Sequence, residues 1–115
     1  SAPKTIDRII NAFPADQQGQ TRAMLSESLR AVIAQQLVKT KDDKGRRAAV
    51  EILIGSPALA NMIREAKFSQ IDSLIQTGST SGMQSMDQHL KQLIEEGEIT
   101  REAAFEKAID KNLFA

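Results

Sequence analysis

Between residues 35 and 54 the apolar spacing of this chain changes period, and no other feature limits its possible folds as much. On either side, apolar residues recur at every third or fourth position, the spacing of one helix face. Gln35 to Lys41 and Arg46 to Ile54 instead look extended, the second run carrying Val50, Ile52, Leu53 and Ile54. Asp42-Asp43-Lys44-Gly45 between them has turn chemistry, so a β-hairpin is predicted.

The flanks read as helices. Residues 3 to 13 place Ile6, Ile9, Ile10 and Phe13 at helical spacing, with Pro3 suited to a first turn and Pro14 ending the run. From Asp16, taken as an N-cap, a helix of about five turns is expected, its stripe formed by Met24, Leu25, Leu29, Val32 and Ile33. Gly55, Ser56 and Pro57 give a break, an N-cap and a first-turn proline in sequence. The helix they start is expected to reach about Lys67 and to bury Leu59, Met62 and Ile63. Another begins near Ser69, carries Ile71, Leu74 and Ile75, and ends with Gly78 at C′. Gly78 to Gly82 reads as a mobile loop. Ser85 with Gln88 resembles a capping box for a helix whose apolar face is Met86, Leu90, Leu93 and Ile94, stopped by Gly97. Thr100 caps a last helix containing Ala103, Ala104, Ala108 and Ile109, so residues 85 to 110 predict an αα-hairpin. The fold class is mainly α with one β-hairpin.

A chain of 115 residues suits one small domain. With only 3% aromatic residues among 41% hydrophobic ones, the core must come from Leu, Ile, Val, Met and Ala. Fifteen basic and fifteen acidic residues cancel, and no row of Lys and Arg could neutralise a run of phosphates, so no nucleic-acid partner is expected. The lack of cysteine removes disulfides and thiolate zinc sites. No apolar run approaches the roughly 20 residues that cross a bilayer, so direct membrane insertion is not expected. The chain starts Ser1-Ala2-Pro3 and not with Met, which suggests a piece of a longer polypeptide.

Residues for chemistry are sparse. A phosphate cradle needs a Gly-rich turn, a Lys and a hydroxyl, commonly spaced GxxxxGK[ST]. Gly78 to Gly82 has no Lys after it and is followed by Met83. His89, the sole histidine, is read as a partly exposed helix residue without metal-ligand partners, and Glu95, Glu96 and Glu98 as a solvated cluster. Met24, Met62 and Met86 read as core, and Met83 as a residue that could sit at an interface. No catalytic, cofactor-binding or metal-ligating residue is therefore expected in this chain.

Several segments, in order, resemble the C-terminal half of the RecA-like domain in the type IV pilus retraction (twitching motility, PilT-like) ATPases of the type II/IV secretion superfamily. Ser1-Ala2-Pro3-Lys4-Thr5-Ile6-Asp7-Arg8-Ile9 looks like the tail of that family's histidine box. Met24 to Leu29, Ala34 to Leu37 and Arg47 to Ile52 resemble the helix and strands that follow. The most specific match is Ala58-Leu59-Ala60-Asn61-Met62-Ile63-Arg64-Glu65, which resembles the AIRNLIRE motif implicated in retraction. Ala58, Asn61, Ile63, Arg64 and Glu65 match it, Leu59 and Met62 depart conservatively, and Ala60 replaces the family's Arg. Ile75 to Gly78, Gly82 to Gln84 and Met86-Asp87 extend the likeness.

The resemblance implies the C-terminal portion of a RecA-like α/β P-loop NTPase domain, residues 1–55 with the hairpin, followed by a helical subdomain, 56–115, with the retraction motif. It implies a force-transmitting part of a hexameric ATPase that powers pilus retraction and twitching motility, this piece itself being inactive. ATP and Mg would bind upstream in the parent. The partners implied are the other subunits of a homohexameric ring and an inner-membrane pilus platform protein. The place implied is the cytoplasm, at the cytoplasmic face of the inner membrane. Extension and secretion relatives commonly carry a four-cysteine zinc site after the strand that Gln35 to Thr40 matches, so its absence favours retraction. A non-catalytic helical interaction module using the terminal αα-hairpin is the alternative.

Overall fold

The computed structural model describes all 115 residues, Ser1–Ala115. The elements run α1 (Ala2–Asn11), α2 (Ala15–Ser28), β1 (Ala31–Lys39), β2 (Arg46–Ile54), α3 (Pro57–Arg64), α4 (Ser69–Thr77), α5 (Met86–Glu95) and α6 (Arg101–Lys107). Short 3-10 turns occupy Ser79–Ser81 and Lys111–Phe114. The strands pair antiparallel from Ala31↔Ile54 to Lys39↔Arg46, which makes the predicted hairpin. At its tip Thr40 Oγ1 and the Lys44 N–H both donate to Asp42 Oδ1, at 2.6 and 3.0 Å. These bonds, the hydroxyl first, hold the Asp42 carboxyl below its usual range.

The hairpin is longer than expected, and α2 shorter. The helix stops at Ser28, Leu29 is already extended at φ −68 and ψ 123, and Val32 and Ile33 lie in β1 opposite Leu53 and Ile52. Two β-branched residues that find strand partners outweigh the helical spacing that seemed to join them to Met24 and Leu25. The helix N-cap is Pro14 and not Asp16, which instead sits in the first turn beside the positive helix end. No residue of α2 is fully buried, and Met24, expected in the core, is 63% exposed.

Elsewhere the ends follow local chemistry. Ser56 Oγ accepts from Leu59 N at 3.1 Å, and Pro57 opens α3 as expected. That helix ends at Arg64 rather than Lys67 because Ala66 turns into the left-handed region at φ +57. The Ser85–Gln88 capping box forms with both bonds present, Thr100 caps α6, and Gly97 at φ +75 makes the turn between the two helices. In α6 the helix stops at Lys107, leaving Ala108 as C-cap and Ile109 exposed. Gly78 is the C-cap at φ −94, so left-handed geometry does not explain it. Crowding does: an added Cβ would lie 2.8 Å from Met83 Sδ and 3.0 Å from the Leu74 carbonyl oxygen. The segment after it, expected to be mobile, folds as the 3-10 turn and reaches left-handed φ only at Gly82.

Two apolar clusters form. One gathers Ala2, Ile6 and Ile10 of α1, Leu53 of β2, Leu59 and Ile63 of α3, Ile71 and Ile75 of α4, and Met83. The other gathers Val38, Ala49, Met86, Leu90, Leu93, Ile99, Ala104, Ala108 and Phe114. Met83 is thus 6% exposed in the first core and is not a surface residue.

The two edges of the sheet differ. Along the free side of β2, Ile52 exchanges both backbone bonds with Gln84, at 2.8 and 3.1 Å. Gln84 Nε2 donates to the Val50 carbonyl at 2.6 Å, and the Val50 N–H donates to His89 Nδ1 at 2.8 Å. The free side of β1 has no strand beside it, and its Ile33 and Leu37 are 68% and 54% exposed. An open strand edge of this kind presents unpaired backbone groups that another strand could take.

Candidate functional site

The segment matching the retraction motif folds as α3, and the sequence explains its stance. Leu59 and Ile63, four residues apart, share one helix face and are 1% and 0% exposed in the first core. Met62 packs half-buried against the same core. Ala58, Asn61, Arg64 and Glu65 remain exposed on other faces. Arg64 turns back along its own helix to Asn61 Oδ1 and across to Ser26 Oγ of α2 at 3.5 Å. Arg64 therefore bridges Asn61 of its own helix and Ser26 of the neighbouring one. Glu65 pairs with Lys67 at 3.0 Å, but both side chains are more than half exposed, so this bond adds little stability.

Between α2 and α3 lies an open cleft of about 280 Å³, bordered by Ser26, Glu27, Leu29 and Arg30 on one side and by Gly55, Ser56, Pro57, Leu59, Ala60 and Ile63 on the other. Gly55 lets the two walls meet. Its N–H donates to the Arg30 carbonyl at 2.7 Å, and a Cβ there would stand 2.5 Å from the Leu29 oxygen. Ala60, where the resembled motif has Arg, lines this cleft, so the departure falls where the helices face one another.

His89 lies partly buried on α5, as expected, but its ring has a structural task. Because Nδ1 accepts the Val50 N–H, the ring is neutral there, and its pKa is lowered by burial, then by Arg47, with Glu96 opposing. Glu95, Glu96 and Glu98 are solvent-exposed. Sequence reasoning missed Glu51, which is 1% exposed. The available signal was its place between Ala49 and Leu53 on the alternating inward face of β2. Asp72 is pushed up, first by burial and then by Glu51 and Asp87.

The Gly78–Gly82 segment has no cationic side chain to meet a phosphate, and no three of His, Asp and Glu stand close enough to hold a metal. No helix is long and apolar enough to cross a membrane.

No protein-family model matches the chain. Individual relatives do. It is 55% identical over 107 residues, 93% of its length, to a twitching motility protein of Neisseria gonorrhoeae. It is also 55% identical over 108 residues, 94% of its length, to the type IV pilus retraction ATPase PilT of Pseudomonas aeruginosa. The chain belongs to the PilT-like family of pilus retraction ATPases. The crystal structure of the pilus retraction motor PilT with bound ADP superposes on 97% of it with a TM-score of 0.84 and 40% identity. The fold is accordingly the C-terminal part of a RecA-like ATPase, mostly helical with one hairpin. The chain spans 29% and 31% of the two relatives, and 31% of the solved PilT chain. An amphipathic helix with a solvated polar face is common, so the spacing of α3 by itself assigns it no role.

Proposed function

We propose that this chain is the force-transmitting C-terminal part of an ATPase that powers type IV pilus retraction and twitching motility. The observation that carries this reading is the 55% identity to a twitching motility protein across 93% of the chain. The structure adds support: the open β1 edge, with Ile33 and Leu37 exposed beside it, suits a piece of a larger sheet. In this reading residues 1–55 belong to the RecA-like core and 56–115 to a helical subdomain. ATP and Mg bind upstream, in a homohexameric ring at the cytoplasmic face of the inner membrane, and the pilus platform protein receives the force.

Within that assembly α3 acts as a lever. Leu59 and Ile63 fix it in the core, while Arg64, bonded both to Asn61 and to Ser26, carries displacement between α3 and α2 together with Asn61. The test is Asn61→Ala with Arg64→Ala in the full-length parent. Retraction is expected to fail while ATP hydrolysis and ring assembly persist, and unimpaired retraction overturns the lever. The isolated chain is expected to show no magnesium-dependent ATP turnover, and turnover by the pure chain refutes that division of labour.

A further inference from the structure

On the inward face of β2, Ala49 and Leu53 are buried in different clusters, Ala49 with α5 and α6, Leu53 with α1, α3 and α4. Glu51 stands between them on that face, 1% exposed. No cationic side chain pairs with it, since the two ion pairs join Lys39 to Asp43 and Lys67 to Glu65. Its partners are main-chain amides. Oε1 accepts from Ala2 N at 2.6 Å, and Oε2 accepts from Met86 N at 3.1 Å. Ala2 and Met86 are the first residues of α1 and α5.

The start of a helix presents unsatisfied amides and partial positive charge, so one carboxylate placed between two such ends meets both needs without a counter-ion. The remaining caps fit around it. At α5, Ser85 Oγ takes Gln88 N and the Gln88 side chain takes Ser85 N, leaving Met86 N to Glu51. At α1, Ser1 Oγ takes Lys4 N at 3.3 Å and the Ser1 carbonyl takes Thr5 N at 3.1 Å, leaving Ala2 N to Glu51. The first turn of α5 also holds the C-terminal segment, because Asp87 accepts from Ile109 N and Asp110 N, each at 2.9 Å. Apolar contact across the seam lacks direction, whereas two amide–carboxylate bonds fix both distance and angle.

We propose that Glu51 is a positioning residue that couples the first turn of α1 to the first turn of α5, so that loosening one helix start loosens the other. The coupling is a property of this fold and does not depend on the motor reading.

Amide hydrogen exchange on the 115-residue chain tests it. Ser85→Ala removes the side-chain cap of α5 and speeds exchange of that helix's first-turn amides. With Glu51 in place, Ala2 and Thr5 are expected to exchange about fivefold faster as well, the effect of one hydrogen bond of ordinary strength. In a Glu51→Gln background, where one oxygen is replaced by a donor, the same Ser85→Ala change is expected to leave Ala2 and Thr5 unmoved. If Glu51→Gln does not fold, Glu51→Asp serves, its shorter side chain reaching one amide only. Two results overturn the proposal: Ala2 and Thr5 indifferent to Ser85→Ala when Glu51 is present, or equally responsive when it is replaced.

Discussion

Replacing Gly55 by Ala is expected to destabilise the chain sharply, although Gly55 has no left-handed backbone to explain its choice. The added Cβ would lie 2.5 Å from the Leu29 carbonyl oxygen and 3.1 Å from that of Arg30, both main-chain atoms that cannot rotate away. The Arg30 oxygen is further held by the Gly55 N–H at 2.7 Å, so relief of the clash costs a hydrogen bond at the junction of α2, β1 and β2. Overpacking costs about 1–3 kcal/mol, and a clash with fixed backbone belongs near the top of that range. The lost freedom of the unfolded chain returns about 0.4–1 kcal/mol. The net loss is about 2 kcal/mol, which for a domain of this size lowers Tm by about 8 °C. Thermal and urea melts followed by circular dichroism measure it, with the urea slope expected to stay unchanged. Gly45→Ala is the control, since a Cβ there meets nothing within 4 Å, and it is expected to be neutral or slightly stabilising. A Gly55→Ala melt within about 2 °C of the parent sequence refutes the crowding argument.

Two further predictions concern the start of α5 and helix α3. The folded pKa of His89 is lowered, so above the unfolded value of about 6.5 both states are neutral and the Val50 bond contributes fully. As pH falls below that value the unfolded chain takes up the proton first, and stability declines until the folded pKa is passed. His89→Gln keeps an acceptor that does not titrate, and should flatten the fall in urea midpoint between about pH 7 and about pH 5.5; an unchanged slope contradicts the assignment. Ile63→Ala, which empties a fully buried position, should cost about 2–5 kcal/mol, while Arg64→Ala, on the exposed face, should cost less than about 1 kcal/mol; comparable urea midpoints for the two would show that α3 is not anchored as described.

The residues alone determined those features whose causes lie within three or four positions. Ser56-Pro57, Ser85 with Gln88, Thr100 and Gly97 set helix ends through bonds and dihedrals that belong to the local chain, and each acts as read. The limits of β2 were also legible, as was the family that the order of the segments points to. Tertiary structure decided the rest. Val32 and Ile33 fit a helical stripe until Leu53 and Ile52 pair with them, and Met83 and Met24 exchange their expected surroundings because burial depends on what packs above them. The alternation of β2 turns Glu51 inward, but its two amide partners could not be read, because they lie 49 and 35 residues away and only the assembled fold brings both helix starts to one side chain.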